Sequence, residues 1–277
     1  MRPTDSVDST LRPVKPTWYA SLLSYVTKAL AIADMDMRKL RHDPSELFTR
    51  AIQPVLWLLV FGQVFAKAHI VPTGGQDYIA FLAPGILAQS VLFVAIFNGI
   101  SVIWERDLGI VHKFLVTPTP RSALVLGKAL AGGVRALPQA LIVYGLAALL
   151  GVTMDWSPPA LLGILTLVLL GAALFSTFSL VIACIVKTRE RFMGIGQVLT
   201  MPMFFASNAI YPTDIMPPWL RWIAHANPLS YLVDGLRTLM LSDGISKFGL
   251  ATDFAVLAFA LLVLVIIGGR MYPRLIV

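Results

Sequence analysis

The feature that most limits what this chain can fold into is a series of six apolar stretches, approximately Leu47 to Ala66, Ile79 to Ile103, Leu124 to Leu150, Pro159 to Val186, Phe192 to Ile210 and Leu250 to Gly269. Each is about as long as a helix must be to cross a hydrocarbon core of about 30 Å. Of the 277 residues, 57% are hydrophobic and 13% charged, against about 45–50% and about 25% in soluble domains. An interior of this size cannot hide so much apolar surface, so lipid must be the solvent for part of it. The expected fold is an all-α polytopic membrane protein: an N-terminal interfacial amphipathic helix, six transmembrane helices, and a re-entrant helical hairpin before the last span.

The polar remainder excludes several chemistries. A lone cysteine, Cys184, can form no intrachain disulfide, and four scattered histidines offer no ligand cluster. No nucleophile elbow or HExxH pattern occurs. Gly127-Lys128 superficially suggests a phosphate loop, but Ser122 stands where GxxxxGK[ST] needs its first glycine and Ala129 replaces the final hydroxyl residue. The chain is therefore expected to bind no cofactor or metal and to be no enzyme.

Lysine and arginine set the orientation. Eight lie before the first stretch or at its start, from Arg2 to Arg50. Arg106, Lys113, Arg121 and Lys128 follow the second, Lys187, Arg189 and Arg191 the fourth, and Arg270 and Arg274 the last, so that 17 of the 22 basic residues fall on one side. By the positive-inside rule that side is the cytoplasm, with both termini in it. The net charge of +7 then marks a membrane face, and no nucleic-acid partner is expected.

Residues 1–17 read as a polar cytoplasmic N-terminus. Across 18–42, Trp18, Leu22, Val26, Leu30, Ala33, Met37 and Leu40 recur at helical spacing with Lys28, Asp34, Arg38 and Arg41 between them. This is either a helix in the headgroup layer or a solvated helix on a soluble neighbour. Asp43-Pro44-Ser45-Glu46 supplies an N-cap, a proline at the first helical position and an early acid, opening the domain 43–277.

Between 211 and 241, Pro217 and Pro218 open one short helix and Asn227-Pro228 breaks it before a second. Both pieces are too short to cross a bilayer, which suits a re-entrant hairpin with Trp219, Trp222 and Tyr231 at the interface. A plain extracellular loop with an aromatic belt is the other reading. Residues 104–121 are charged at the start, amphipathic in the middle and stopped by Pro118 and Pro120. This segment either docks on a soluble partner through Ile110, Phe114 and Leu115 or rests on the membrane surface. Arg135 stands inside the third stretch: it pairs at depth as a functional charge or, if the span begins near Gly132, snorkels as a headgroup anchor.

No acid lies well inside any stretch, Asp253 being near an end, which disfavours coupling to a proton or sodium gradient. With no nucleotide site in the chain, active transport would need hydrolysis by another polypeptide. A passive channel or gradient-driven carrier is the competing class, and a non-transporting membrane scaffold a third.

From about Trp18 to Arg270 the chain resembles the permease subunits of ABC-2 type exporters, and more closely their daunorubicin-resistance branch. The resemblance is carried by Glu105-Arg106, Gly109-Ile110, Lys113-Phe114, Pro118 and Arg121, and by Tyr211-Pro212, Pro217-Pro218-Trp219-Leu220, Asn227-Pro228-Leu229, Tyr231 and Asp234 to Arg237. It implies a six-helix half-transporter in the cell membrane, among membrane lipids, paired with a second copy or a paralogue and with two cytoplasmic ABC ATPases that hold ATP and Mg. Glu105, Arg106, Gly109, Ile110, Lys113 and Phe114 would form the coupling segment. Gln89, Phe93, Phe97 and Asn98 would face Phe204, Phe205 and Asn208 across the translocation path, or else pack as ordinary helix contacts. Pro217, Pro218, Trp219, Asn227, Pro228 and Tyr231 would shape the extracellular hairpin. The implied cargo is an amphiphilic drug or lipid; relatives that export polysaccharide or lipid-linked glycan share the architecture.

Overall fold

The computed structural model describes residues 27, 30, 31, 34, 52–68, 71–73, 75, 77–111, 120–186 and 188–275. The N-terminus 1–17 lies outside the described residues, as does most of the 18–42 helix, of which Thr27, Leu30, Ala31 and Asp34 are helical and exposed.

Among the described residues eight helices of nine or more residues form the bundle. α1 (Ile52–Ala68) widens to a π-helix over Trp57–Gly62, where Trp57 stacks on Phe61 at 4.5 Å. α2 (Tyr78–Asp107) is the central element. α3 (Arg121–Leu149) starts after Pro120, and α4 (Pro158–Ile185) opens on two prolines at its first positions, where missing N–H groups cost nothing. α5 (Arg189–Phe205) begins where Thr188 accepts from the Arg191 amide. α6 (Pro218–Ala226) and α7 (Pro228–Met240) follow, and α8 (Leu250–Met271) completes the bundle.

α2, α3, α4 and α8 are long and apolar enough to cross a membrane by length and composition. The fifth apolar stretch forms a 17-residue helix that starts at Arg189 and ends at Phe205, earlier at both ends than its hydropathy suggests. Residues 206–210 leave the helix after Pro202, and the Ala206 amide bonds the Pro202 carbonyl at 2.8 Å.

α2 packs on α3, α4, α5 and α7, and α4 on α3, α7 and α8. The core is continuous from Leu58 and Phe81 to Val168, Leu232 and Leu257. Small residues allow the closest approach: a Cβ on Gly132 of α3 would run into the Ser176 side chain of α4 and stand 3.2 Å from Asn98 Nδ2 of α2. This is the packing that membrane helices use where burial of apolar surface supplies no driving force.

The bundle has two chemically distinct ends. At the basic end the close of α2 meets the start of α5, with Arg189 bonding Asp107 at 2.9 Å, and Gly269 of α8 lies against Ser122 of α3. At the hairpin end the Tyr78 hydroxyl donates to the Ile210 carbonyl. There also the α3–α4 loop joins the end of α7 through an antiparallel bridge between Met154 and Leu241. Segments expected on one face of the membrane thus gather together. α6 and α7 meet at Asn227, whose Oδ1 accepts from the Leu229 amide at 3.0 Å while its Nδ2 donates to the Met203 carbonyl at 2.6 Å. α7 is buried along most of its length, whereas α6 exposes Trp219, Trp222 and Ile223.

Candidate functional site

α2 carries the site along one helix. Gln89, Phe93 and Phe97 recur every four residues and share a face, with the two rings stacked at 6.2 Å. With Gln53 and Pro54 of α1, Ser90 and Val94 of α2, and Gln139 of α3, they line a cavity of about 340 Å³. Three amides and two rings give it hydrogen-bonding groups without formal charge. Gln89 Nε2 is buried without a partner among the described residues.

One residue past Phe97, the polar wall becomes a chain between helices. Asn98 Nδ2 donates to the Lys128 carbonyl at 3.4 Å, and Asn98 Oδ1 accepts from Arg135 Nη1 at 3.3 Å. Arg135 stands 14 residues from each end of α3, because the helix runs from Arg121 to Leu149, or about 21 Å from either end. It is therefore a mid-helix charge held by an amide.

The chain ends in a buried ion pair. Lys128 Nζ lies 2.6 Å from Glu105 Oε1, with both side chains at most 5% exposed. Glu105 therefore faces α3. Its neighbours point outward: Arg106 and Arg189 both bond Asp107 at 2.9 Å, and the Arg189 guanidinium covers the Trp104 ring at 3.8 Å. Gly109, at φ +71°, takes the left-handed conformation that ends helices, and the chain becomes helical again at Ile110. Lys113 and Phe114 lie outside the described residues.

Phe204, Phe205 and Asn208 are not among the residues that line the α2 cavity. Phe204 packs edge-on against Trp57 at 5.8 Å. Phe205 lines a groove with Trp219, Asn227 and Pro228. Asn208 lies at the hairpin end, where its carbonyl accepts from Arg237 at 2.9 Å. Tyr231 donates to the His225 carbonyl at 2.8 Å, tying α7 to α6, and Pro217 and Pro218 lead into α6.

Sequence reasoning missed the Glu105–Lys128 pair, Gln53 and Gln139, and the burial of Arg237. Lys128 was legible only as a basic residue following the second stretch. No spacing rule pairs side chains 23 positions apart on different helices.

Residues 27–241 match the ABC-2 type transporter family. The chain belongs to this family. The permease is 29% identical over 203 residues to a protein named putative transport permease ycf38 of Cyanophora paradoxa, covering 73% of this chain and 70% of that one. It is 26% identical over 230 residues to the daunorubicin resistance ABC transporter permease protein DrrB1 of Streptomyces coeruleorubidus, covering 83% and 78%. The inner membrane transport permease YadH of Escherichia coli K12 is 26% identical over 212 residues, covering 74% and 78%. The permease is thus a membrane subunit of an ABC transporter, and the relatives named above are transport permeases. In this permease the cavity, the mid-helix charge and the buried ion pair lie in sequence along α2 and its contacts with α3.

Proposed function

We propose that the permease is the membrane half of an ATP-driven exporter that moves amphiphilic drug-like or lipid molecules out of the cell. In this reading six segments span the plasma membrane, α1 and α5 among them, with both termini and the basic end in the cytoplasm. α6 and α7 form a re-entrant hairpin on the outer side. Two copies, or one copy and a paralogue, assemble with two cytoplasmic ATPases that bind ATP and Mg. Residues 104–121 receive their motion.

The observation that carries this reading is the layout of α2. Gln89, Phe93 and Phe97 line the cavity, Asn98 holds Arg135, and Glu105 locks α2 to α3. A displacement at the Glu105 end moves the cavity wall with it, because a helix locked by a buried ion pair and close glycine packing shifts as a body. The cavity's mixture of rings and uncharged amides suits a cargo with an apolar body and a few hydrogen-bonding groups.

Co-purification with a co-expressed ABC ATPase, followed by ATP turnover measurements in vesicles, tests the proposal. The permease alone hydrolyses no ATP. With the ATPase, a fluorescent amphiphile stimulates turnover, and Phe93→Ala reduces that stimulation about tenfold without changing basal turnover. A permease that binds no ATPase, or stimulation unaffected by Phe93→Ala, contradicts it.

A further inference from the structure

Toward the basic end, the cavity along α2 closes on a cation. Asn98 stands one turn beyond Val94 on α2, and Arg135 one turn before Gln139 on α3. Val94 and Gln139 both line the cavity, and residues four apart share a helix face. The bond from Arg135 Nη1 to Asn98 Oδ1 at 3.3 Å therefore lies about 6 Å along the helices from that lining, as the cavity floor.

The guanidinium is only partly used there. Arg135 pairs with no carboxylate among the described residues, whereas Lys128, nearer the basic end of the same helix, has Glu105 at 2.6 Å. The Asn98 Oδ1 that holds it is neutral and also accepts from the Ser101 hydroxyl at 3.4 Å. Arg135 Nε is shut in without a partner. Nη2 also bonds nothing among the described residues, but it is not one of the buried atoms, and the residue as a whole is part-exposed. The N–H groups of Nη2 thus stay open, on a charge that the fold leaves without a counter-ion.

These features restrict what the cavity takes. Its lining residues carry no acid and no base, so the charge met at its floor is that of Arg135. A cationic occupant faces a like charge with nothing opposite to offset it, and a neutral one leaves the guanidinium unpaired. An oxyanion accepts from Nη2 in a charge-assisted hydrogen bond, about twice as strong as a neutral one. The stacked Phe93 and Phe97 rings take the apolar body.

We propose that the permease selects acidic amphiphiles and that Arg135 sets the selectivity. The cargo's carboxylate or phosphate accepts from Arg135 Nη2 at the cavity floor, and its chain or ring system lies along Phe93 and Phe97. This rests on the exporter reading above and narrows its cargo from amphiphiles in general to those with an ionised acid.

Binding to the full chain alone, in phosphatidylcholine nanodiscs, tests it. The probes are a dansyl-labelled undecyl chain ending in a carboxylate, a phosphate monoester, a primary amide or an amine, followed by fluorescence with empty nanodiscs subtracted. At a pH where the acid is ionised, an oxyanion binds about tenfold more tightly than the amide, and the amine more weakly still. Whichever of the two oxyanions binds more tightly names the acid of the cargo. Arg135→Gln brings the ratio of acid to amide near unity. Asn98→Asp keeps the side-chain shape and supplies the missing counter-ion within the protein, so it does the same, and it carries the test if Arg135→Gln does not fold. Equal affinities for acid and amide in the wild type overturn the proposal. So does a ratio unchanged in every variant that folds, which traces the preference to the basic membrane face. ATP turnover with a co-expressed ABC ATPase separates this selectivity from the exporter reading. Turnover stimulated alike by acid, amide and amine leaves the exporter and removes the selectivity. Acid-selective binding that requires Arg135 but never stimulates turnover leaves the selectivity and removes the exporter.

Discussion

The two ends of α2 hold a buried cation in different ways. At the basic end Lys128 faces a carboxylate at 2.6 Å, charge against charge. At the hairpin end Arg237 rests on an aromatic ring and two backbone carbonyls, while the nearby Asp234 Oδ2 is occupied by the Ser246 hydroxyl and the Lys247 and Phe248 amides. The first arrangement fixes one helix to another through side chains alone. The second fixes a cation through the backbone and leaves polar atoms over. One end is built to pass a displacement on, and the other to hold its own shape.

The largest expected effect bears on the first half of that contrast. Glu105→Ala or Lys128→Ala removes one partner of a buried ion pair and destabilises the protein by about 3–5 kcal/mol, read as a large fall in melting temperature in detergent. Glu105→Met combined with Lys128→Met restores most of that stability, since a well-packed apolar pair often equals a buried ion pair. Single variants as stable as wild type would break the contrast.

Arg135 lies between the ends and shares features of both, a charge held by the Asn98 amide. Arg135→Met makes membrane insertion of α3 more favourable by about 2.5–3.5 kcal/mol, the cost assigned to a central charge, yet lowers cargo-stimulated ATP turnover. A glycosylation-based insertion assay beside turnover in vesicles checks both halves. An unchanged insertion efficiency would mean that Arg135 snorkels after all.

Two glycines on α3 sharpen the role of close packing. Gly132→Ala puts a Cβ into Ser176 and costs about 1–3 kcal/mol through overpacking. Gly145→Ala meets nothing within 4 Å and stabilises by up to about 1 kcal/mol through helix propensity. Opposite shifts in melting temperature are expected, and equal shifts would remove close packing as the reason for Gly132.

The smallest effect is at the hairpin end. A hydrogen bond from the Lys247 ammonium, and its charge, hold the Asp214 carboxyl below its usual range. A lowered carboxylate pKa in the fold contributes stability above the ordinary carboxylate pKa, and that contribution is lost as pH falls through the lowered value. Both side chains are largely exposed, so the pair is worth about 0.2–1 kcal/mol. Asp214→Asn should flatten the acid side of the stability profile by that amount.

What the sequence made legible was mainly punctuation. Pro218, Asn227-Pro228 and the paired prolines that open α4 mark helix starts, and the short α6 and α7 follow from them. Charge distribution grouped segments that the fold then brings to common ends. The end of α5 was not legible, because residues 206–210 stay apolar while leaving the helix. The family resemblance placed Glu105 in the coupling segment, and only helix rotation decides that it faces Lys128 while Asp107 faces outward. The partner of Arg135 was hidden for a related reason: Asn98 lies on another helix, 37 positions away.

The measurement that bears most directly on the account compares ATP-dependent accumulation of a fluorescent amphiphile in proteoliposomes holding the permease alone, the permease with its ATPase, and the Glu105→Met, Lys128→Met double variant with that ATPase. The account predicts accumulation only for the wild-type permease with ATPase and ATP, and a double variant that folds and binds ATPase but accumulates at least tenfold less. Uphill accumulation by the permease alone, or full accumulation by the double variant, would contradict it.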